Sequence, residues 1–490
     1  MILNRIHNQV SALLPPLAVP LCAALVMYGA VLFAGQVLYD ADTFWHITAG
    51  EWMLDHRQVL HHDPFSHSMP GKEWQTHEWL TEILMALSYR AAGWNGIVML
   101  GGLAVGAAAM LTGAWLARFM PPLSTLIAVL TGMAILIPSL LVRPHLIALP
   151  LLVFWTIALM RARERGQAPP LWLPLVMVLW ANVHGSYVFG LALVGPFALE
   201  ALIDARRGDW REVVWRWGLF GVLCLAAALV TPHGVEGLIH PFQLMAMKSL
   251  PNIVEWRPPD LAKPSPLKFA IFLTLFVAMS RGAKFPVLRL LVLLGLLHMA
   301  SQHIRHVVVL GTVGPLLLAQ PLGRVLSPEH TADLRRHWRL VAIVAAVGLI
   351  GATGYRFYDP LVRKDGYHAP ISALEAVPAD LREKPVLNSY GLGGYLIFKG
   401  VKVFIDGRAD MYGDEFTEQY MKMARGDLKL LGEVLKRYKV EWIFVETNTP
   451  IARNVARMPE WKMLYGDKVA QVWVPKGYER SASLPPSTTR

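Results

Sequence analysis

Long apolar runs separated by short polar islands set the plan of this chain. The runs at 14–38, 94–117, 121–140, 144–160, 170–183, 187–204, 215–231, 267–280, 285–302, 306–322 and 339–355 predict about eleven transmembrane helices. The stretch after the first run reads differently. Phe44, Ile47, Trp52 and Met53 recur at helical spacing over 43–56, and Trp79, Ile83, Leu84 and Leu87 do so over 76–91. Both read as amphipathic helices lying along a membrane surface. After 357 the period shortens. The segments 385–388, 401–405, 440–445 and 469–474 read as strands, with helical patterns at 415–437 and 449–457 between them. The expected fold class is an α-helical polytopic membrane protein with a small C-terminal α/β domain. The expected domains are 1–356 (helical, including the outer loop 39–93), 357–476 (α/β) and 477–490, a Ser-, Pro- and Thr-bearing disordered tail.

Composition agrees with this plan. Hydrophobic residues make up 54% of the 490 residues and charged residues only 17%, against about 25% in soluble domains. The net charge of +11 would suggest nucleic acid in a soluble protein. Here many of the basic residues fall between apolar runs, where they report topology instead. With the N-terminus, carrying Arg5 and His7, in the cytoplasm, the even loops collect Arg118, Arg161, Arg163, Arg165, Arg206, Arg207, Arg211, Arg216, Arg281, Lys284, Arg289, Arg324, Arg335, Arg336 and Arg339. The odd loops are poor in Lys and Arg. The opposite face then receives the loop 39–93, Arg143-Pro144-His145, Asn182 to Ser186, the loop 231–266, Gln302 to His306 and the C-terminal domain. The first run lacks a small-residue cleavage site and reads as an uncleaved anchor. Cys22 and Cys224 both lie in apolar runs, which leaves no disulfide framework or thiol metal site in view.

Polar residues gathered at one face of a membrane protein point to one site there. Asp40 and Asp42 follow the first apolar run directly. Carboxylates there could act as a general base, or hold a divalent cation such as Mg or Mn, or simply cap the following helix. Glu78 is a further acid/base candidate, or an early-turn helix charge. His46 and His77 belong to a loop with His56, His61, His62 and His67, whose spacing fits no zinc pattern. Arg143, Arg257 and Arg305 are candidate phosphate ligands, or structural ion-pair partners or lipid head-group contacts. Glu255 with Trp256 could contact a sugar, or Trp256 could equally serve as an interfacial anchor. The segment Gly391 to Leu396 lacks the third glycine of a dinucleotide loop and any Walker lysine, which excludes nucleotide binding. Ile405 to Asp410 reads as a strand and polar turn, either a lid or acceptor contact, or a structural turn closed by an Asp406–Arg408 bond.

The segment from Asp40 through Trp52, then Asp63-Pro64-Phe65-Ser66 and His77-Glu78-Trp79-Leu80, resembles the first outer loop of bacterial GT-C-type membrane glycosyltransferases. Ala181 to Gly185 and Phe404 to Gly413 resemble further segments of a branch of that superfamily. The resemblance implies a polyprenyl-phosphate-linked sugar donor, transfer outside the cytoplasmic membrane, usually with inversion, and a catalytic carboxylate near the end of the first span. By that match Asp42 or Asp40 is the base. Arg143, Arg257 or Arg305 would hold the donor phosphate. His46, His77, His145, Asn182, His184 and Glu255 would contact the substrate. The expected partners are that donor, membrane lipids and a lipid, polysaccharide or protein acceptor, with no nucleic acid. Two rivals remain: a transporter or flippase for lipid-linked saccharides, and a non-catalytic envelope assembly protein. The spans hold few mid-helix charges, which argues against a polar transport path.

Overall fold

The structure is a computed structural model and describes residues 17–206, 209–327 and 338–479. The tail from 480 onward, and Arg5, His7, Arg207, Arg335 and Arg336 of the topology argument, lie outside those residues.

Each of the apolar runs contains a helix: Ala18–Phe33, Trp79–Leu116, Pro122–Leu136, Pro144–Glu164, Pro174–Val183, Tyr187–Ile203, Trp210–Ala228, Pro266–Ser280, Val287–Gln302, Ile304–Leu326 and Trp338–Tyr358. Of these, Trp79–Leu116, Pro144–Glu164, Ile304–Leu326, Arg339–Tyr358 and the stretch Pro122–Ser139 are long and apolar enough to cross a membrane. The first run is shorter than expected, because a 3₁₀ turn at Gly35–Leu38 ends it. The expected surface helix at 76–91 and the next span are joined, with a break where Ala92 and Gly93 leave helical backbone angles. The loop 231–266 is itself structured, with a helix at Gly234–Met245 and 3₁₀ turns at Leu250–Asn252 and Val254–Trp256.

Two compact units divide the chain. The first comprises 1–39, 49–59 and 76–361, and the second comprises 40–48, 60–75 and 362–490. In the helical unit, Ala18–Phe33 packs along Trp79–Leu116. The close approach has a sequence cause. A Cβ on Gly102 would lie 2.9 Å from the Tyr28 ring, and one on Gly106 would lie 3.1 Å from the Ala24 carbonyl oxygen. Small residues four apart let the backbones meet, as in other membrane helix pairs.

The second unit carries a four-stranded sheet: β1 (Val386–Asn388), β2 (Trp442–Glu446), β3 (Trp461–Gly466) and β4 (Ala470–Pro475), in the order β1-β2-β4-β3. β1 runs parallel to β2, with Leu387 opposite Ile443, and the other pairings are antiparallel. The buried run Trp442 to Val445 explains why β2 is central. β3 escapes a sequence reading because it is a half-exposed edge with a bulge between Met463 and Tyr465. Conversely, 401–405 is no strand of this sheet. The Asn388 side chain occupies its backbone, accepting from Phe404 N at 2.8 Å and donating to Ile405 O at 2.7 Å. On its other side, Val403 N donates to Phe65 O and His67 N to Val403 O, both at 3.0 Å. The expected helix at 415–437 is two helices, Ala409–Ala424 and Leu428–Arg437, interrupted at Gly426 (φ +113°).

Segments 60–75 and 362–479 share a compact unit because of one buried cation. The Arg408 guanidinium donates to Asp63 Oδ1 at 2.7 Å and to Asp406 at 2.7 and 2.6 Å, and the side chains of Arg408, Asp63 and Asp406 are fully buried. Trp74 and Phe65 lie beside it, with ring centres 4.7 and 5.3 Å from its central carbon. Asp63 also accepts from Phe65 N and Ser66 N at 3.0 Å and from the Ser66 hydroxyl. The Tyr412 hydroxyl donates to Asp406 at 2.8 Å. Burial works against the Arg408 charge, but the two carboxylates hold its pKa well above the ordinary value. Removing one member of such a group strands a charge. Arg408→Met should destabilise this unit by about 3–5 kcal/mol. An unfolding transition of detergent-purified protein unchanged from wild type would contradict that expectation.

Candidate functional site

Nine of the twelve candidate residues fall in the helical unit, and Asp40, Asp42 and His46 fall in the other. Each set is built differently.

In the helical unit two of the candidate histidines gather around one carboxylate. Glu78 stands at the start of the helix Trp79–Leu116. His184 follows Pro174–Val183 and brings Nε2 to 3.2 Å from Glu78 Oε1. His77 Nε2 lies 3.5 Å from the same oxygen. The Ser186 backbone N–H donates to His184 Nδ1 at 3.0 Å. An imidazole that accepts at Nδ1 carries its proton on Nε2, facing Glu78, so the network assigns the neutral tautomer. Burial agrees: it pulls the His184 pKa down from 6.5 to about 3, helped by His145, Arg305 and His77 and opposed by Glu78. The His184 ring is 6.4 Å from that of His145, whose Nε2 pairs with Ser139 O at 2.9 Å. His77 also packs on His240, with ring centres 4.5 Å apart.

The three arginines, alike in the sequence, are distinct here. Arg257 closes its own loop, donating to Pro251 O and Asn252 O at 3.1 and 3.2 Å. Arg143 pairs with Glu255, Nη1 to Oε2 at 3.3 Å. Arg305 stacks on Trp256 with its central carbon 4.2 Å from the ring centre. No carboxylate among the described residues lies within ion-pair distance of Arg305. It sits in the first turn of Ile304–Leu326, beside His303 and His306. The His303 ring in turn pairs with Trp256 O at 2.6 Å.

Asn182 serves the scaffold. Its amide donates to Val178 O and Val230 O and accepts from Trp79 Nε1, at 2.8, 2.8 and 2.7 Å. These residues also line a groove of about 530 Å³, with Trp79, Leu175, Leu179 and Val230 as walls and Asn182 and Thr231 as polar points.

In the second unit the helix Asp42–His56 begins under the control of Asp40. Asp40 Oδ1 accepts from Asp42 N at 3.2 Å and Oδ2 from the Thr43 hydroxyl at 3.3 Å. Through these bonds Asp40 helps fix the start of the helix. The Asp42 carboxylate lies against Gly407, where an added Cβ would be 1.9 Å from Oδ1. His46 is 3% exposed and its ring centre is 3.6 Å from that of Trp45. The expected Asp406–Arg408 bond is present. His67 is an anchor, its Nε2 pairing with Val386 O at 2.8 Å, and burial lowers its pKa.

Sequence reasoning missed His240, the Trp256 platform as a partner for Arg305, and Gly407. The pairing of His77 with His240 joins residues far apart in the chain, and nothing local announces it. The run Asp406-Gly407-Arg408-Ala409-Asp410 did mark a polar turn, but not what rests on it.

No family model matches the chain, and no curated protein does. Among solved structures it is similar to the crystal structure of ArnT from Cupriavidus metallidurans bound to undecaprenyl phosphate, with 14% identity, a TM-score of 0.49, and coverage of 93% of this chain and 97% of that one.

A lowered histidine pKa has a fixed sign in stability. The unfolded chain takes up a proton near pH 6.5 that folded His184 refuses until about pH 3. Its neutral state therefore costs nothing above pH 6.5, and stability is lost as pH falls through that window, by up to about 1.4 kcal/mol per pH unit. His184→Gln should show a shallower fall in unfolding temperature between pH 6.5 and 4 than wild type. Parallel pH curves would refute a buried neutral His184.

Proposed function

We propose that the protein is a membrane glycosyltransferase of GT-C type. It would move a sugar from a polyprenyl-phosphate-linked donor to an acceptor hydroxyl of the cell envelope, on the extracytoplasmic face of the bacterial inner membrane. The observation that carries this reading is Arg305. A guanidinium set on an aromatic face, at a helix N-terminus and without a carboxylate, is a phosphate ligand in waiting. The neutral His184 and Glu78 nearby offer uncharged and charged hydrogen-bonding groups for sugar hydroxyls. The groove beside Trp79 has the apolar walls an isoprenoid chain needs.

Asp42, whose carboxylate lies against Gly407, would act as general base on the acceptor hydroxyl, while Asp40 holds the helix start. Arg305 would hold the phosphate and stabilise charge on the leaving group. Glu78 is a second acid/base group. Arg143 and Glu255 would hold Trp256 and its loop in place. A divalent cation, Mg or Mn, on Asp40 and Asp42 would have to compete with the helix cap.

The test is transfer from radiolabelled lipid-linked sugars of the native host to its envelope fractions. Asp42→Asn should lower turnover about 10²–10⁴-fold, the range of general-base catalysis. Arg305→Ala should chiefly raise KM for the donor. Inhibition by a chelator would reassign Asp40 and Asp42 to a metal site. No transfer from any donor pool by well-folded protein would overturn the reading in favour of transport or assembly.

A further inference from the structure

We infer that Gly407 is a positioning residue, and that the turn Asp406-Gly407-Arg408 is the seat against which the Asp42 carboxylate is aimed. This rests on the reading of Asp42 as the base. The physical ground is a contact with no room in it. A Cβ on residue 407 would meet Asp42 Oδ1 at 1.9 Å, Cγ at 2.7 Å and Oδ2 at 3.1 Å. All three atoms belong to the end of one side chain. The neighbouring contact is of another kind: a Cβ on Gly394 would meet the Ala41 carbonyl oxygen at 2.0 Å, which is backbone. The first glycine therefore governs where a carboxylate points, while the second governs where the chain runs.

The seat is held firmly from below. Arg408 N donates to Asp406 Oδ1 at 3.0 Å, and the Arg408 side chain is locked between Asp406 and Asp63. The carbonyl of Gly407 accepts from Ala409 N at 3.0 Å and from the Tyr390 hydroxyl at 3.3 Å. On the facing side, Asp42 is the first residue of its helix, and Asp40 fixes that helix start. A short carboxylate on a fixed helix start, pressed on a fixed turn, has few rotamers left. General-base catalysis needs that restriction, because the proton must pass over hydrogen-bond distance in one direction.

A methyl group at 407 would force the Asp42 side chain out of this position rather than displace backbone, because every atom it meets belongs to that side chain. Gly407→Ala should therefore fold and still bind donor, with turnover at least about tenfold lower and donor KM within about twofold of wild type, as expected when only transition-state interactions are lost. Tyr390→Phe, which removes one tether of the turn, should give a smaller fall in turnover in the same direction. Gly432→Ala, at a helical glycine with open space around it, should change neither constant.

The assay compares these variants with Asp42→Asn, and follows thermal unfolding of each. If Asp42→Asn keeps full activity, the reading of Asp42 as the base fails, and this inference with it. If Asp42→Asn is inactive while folded Gly407→Ala turns over like wild type, the inference alone fails. Should Gly407→Ala not fold, Tyr390→Phe decides: a wild-type turnover there overturns the seat, and a reduced one with unchanged KM upholds it. A rise in donor KM with turnover unchanged in Gly407→Ala would also overturn it, because that would make the residue a binding contact.

Discussion

A guanidinium removed from water has to be surrounded by charge and hydrogen-bond acceptors, and Arg408 imposes that demand on the second unit. Its two carboxylates come from distant parts of the sequence, Asp63 and Asp406. Neither segment can adopt another course without leaving a buried charge unpaired. The surrounding details follow from this. Asp63 turns the chain at Phe65 and Ser66 by accepting their N–H groups, which lines 65–67 up with Val403. Asn388 then fills the remaining backbone positions of Phe404 and Ile405. A sheet of four short strands would be a small core by itself. The ionic knot enlarges it by pinning loop segments to its edge, with Trp74 and Phe65 excluding water from the cation. Such a group adds less to stability than an apolar core of equal volume could, but it specifies one arrangement.

The helical unit solves the opposite problem. Its polar groups lie near apolar helices, so each must be neutral, paired or exposed. His184 is neutral, its proton placed by the Ser186 N–H. Arg143 is paired with Glu255. Asn182 has three partners inside the scaffold. These choices follow from burial rather than from residue type, and they set apart candidates that look alike in the sequence.

Much of the fold was legible because membrane helices write their length and polarity directly into the sequence. Every long apolar run proved helical, and the shift to short strands after 357 was visible as well. What could not be read depends on partners distant in sequence. Val401 to Ile405 has the composition of a strand, yet its hydrogen bonds go to the Asn388 side chain and to the 65–67 loop. Trp461 to Gly466 lacks that composition, yet β4 recruits it as an edge. The site follows the same rule. Asp40 and Asp42 were equivalent in sequence, and only the hydrogen bonds of the helix start tell the cap from its neighbour. Arg143, Arg257 and Arg305 were equivalent too, because a guanidinium's role is set by what lies opposite.

Arg305 shows most clearly how such placement bears on function. A cation in the first turn of a helix faces the positive end of the helix dipole, an arrangement that costs about 0.3–1 kcal/mol. Stacking on Trp256 returns a similar amount, about 0.5–2 kcal/mol depending on desolvation. The two roughly cancel, so stability gives little reason to keep an arginine there over a neutral residue. Glu255, next to Trp256 in the chain, is paired with Arg143. Among the described residues no carboxylate lies within ion-pair distance of Arg305. Its positive charge also reaches His184, where it resists protonation. An anion bound at Arg305 would satisfy the guanidinium and the helix terminus together, and it would ease protonation of His184, so phosphate affinity and the charge state of the Glu78–His184 pair should be coupled. Under the proposed reading, Arg305 would contribute little to the empty protein and much to the loaded one.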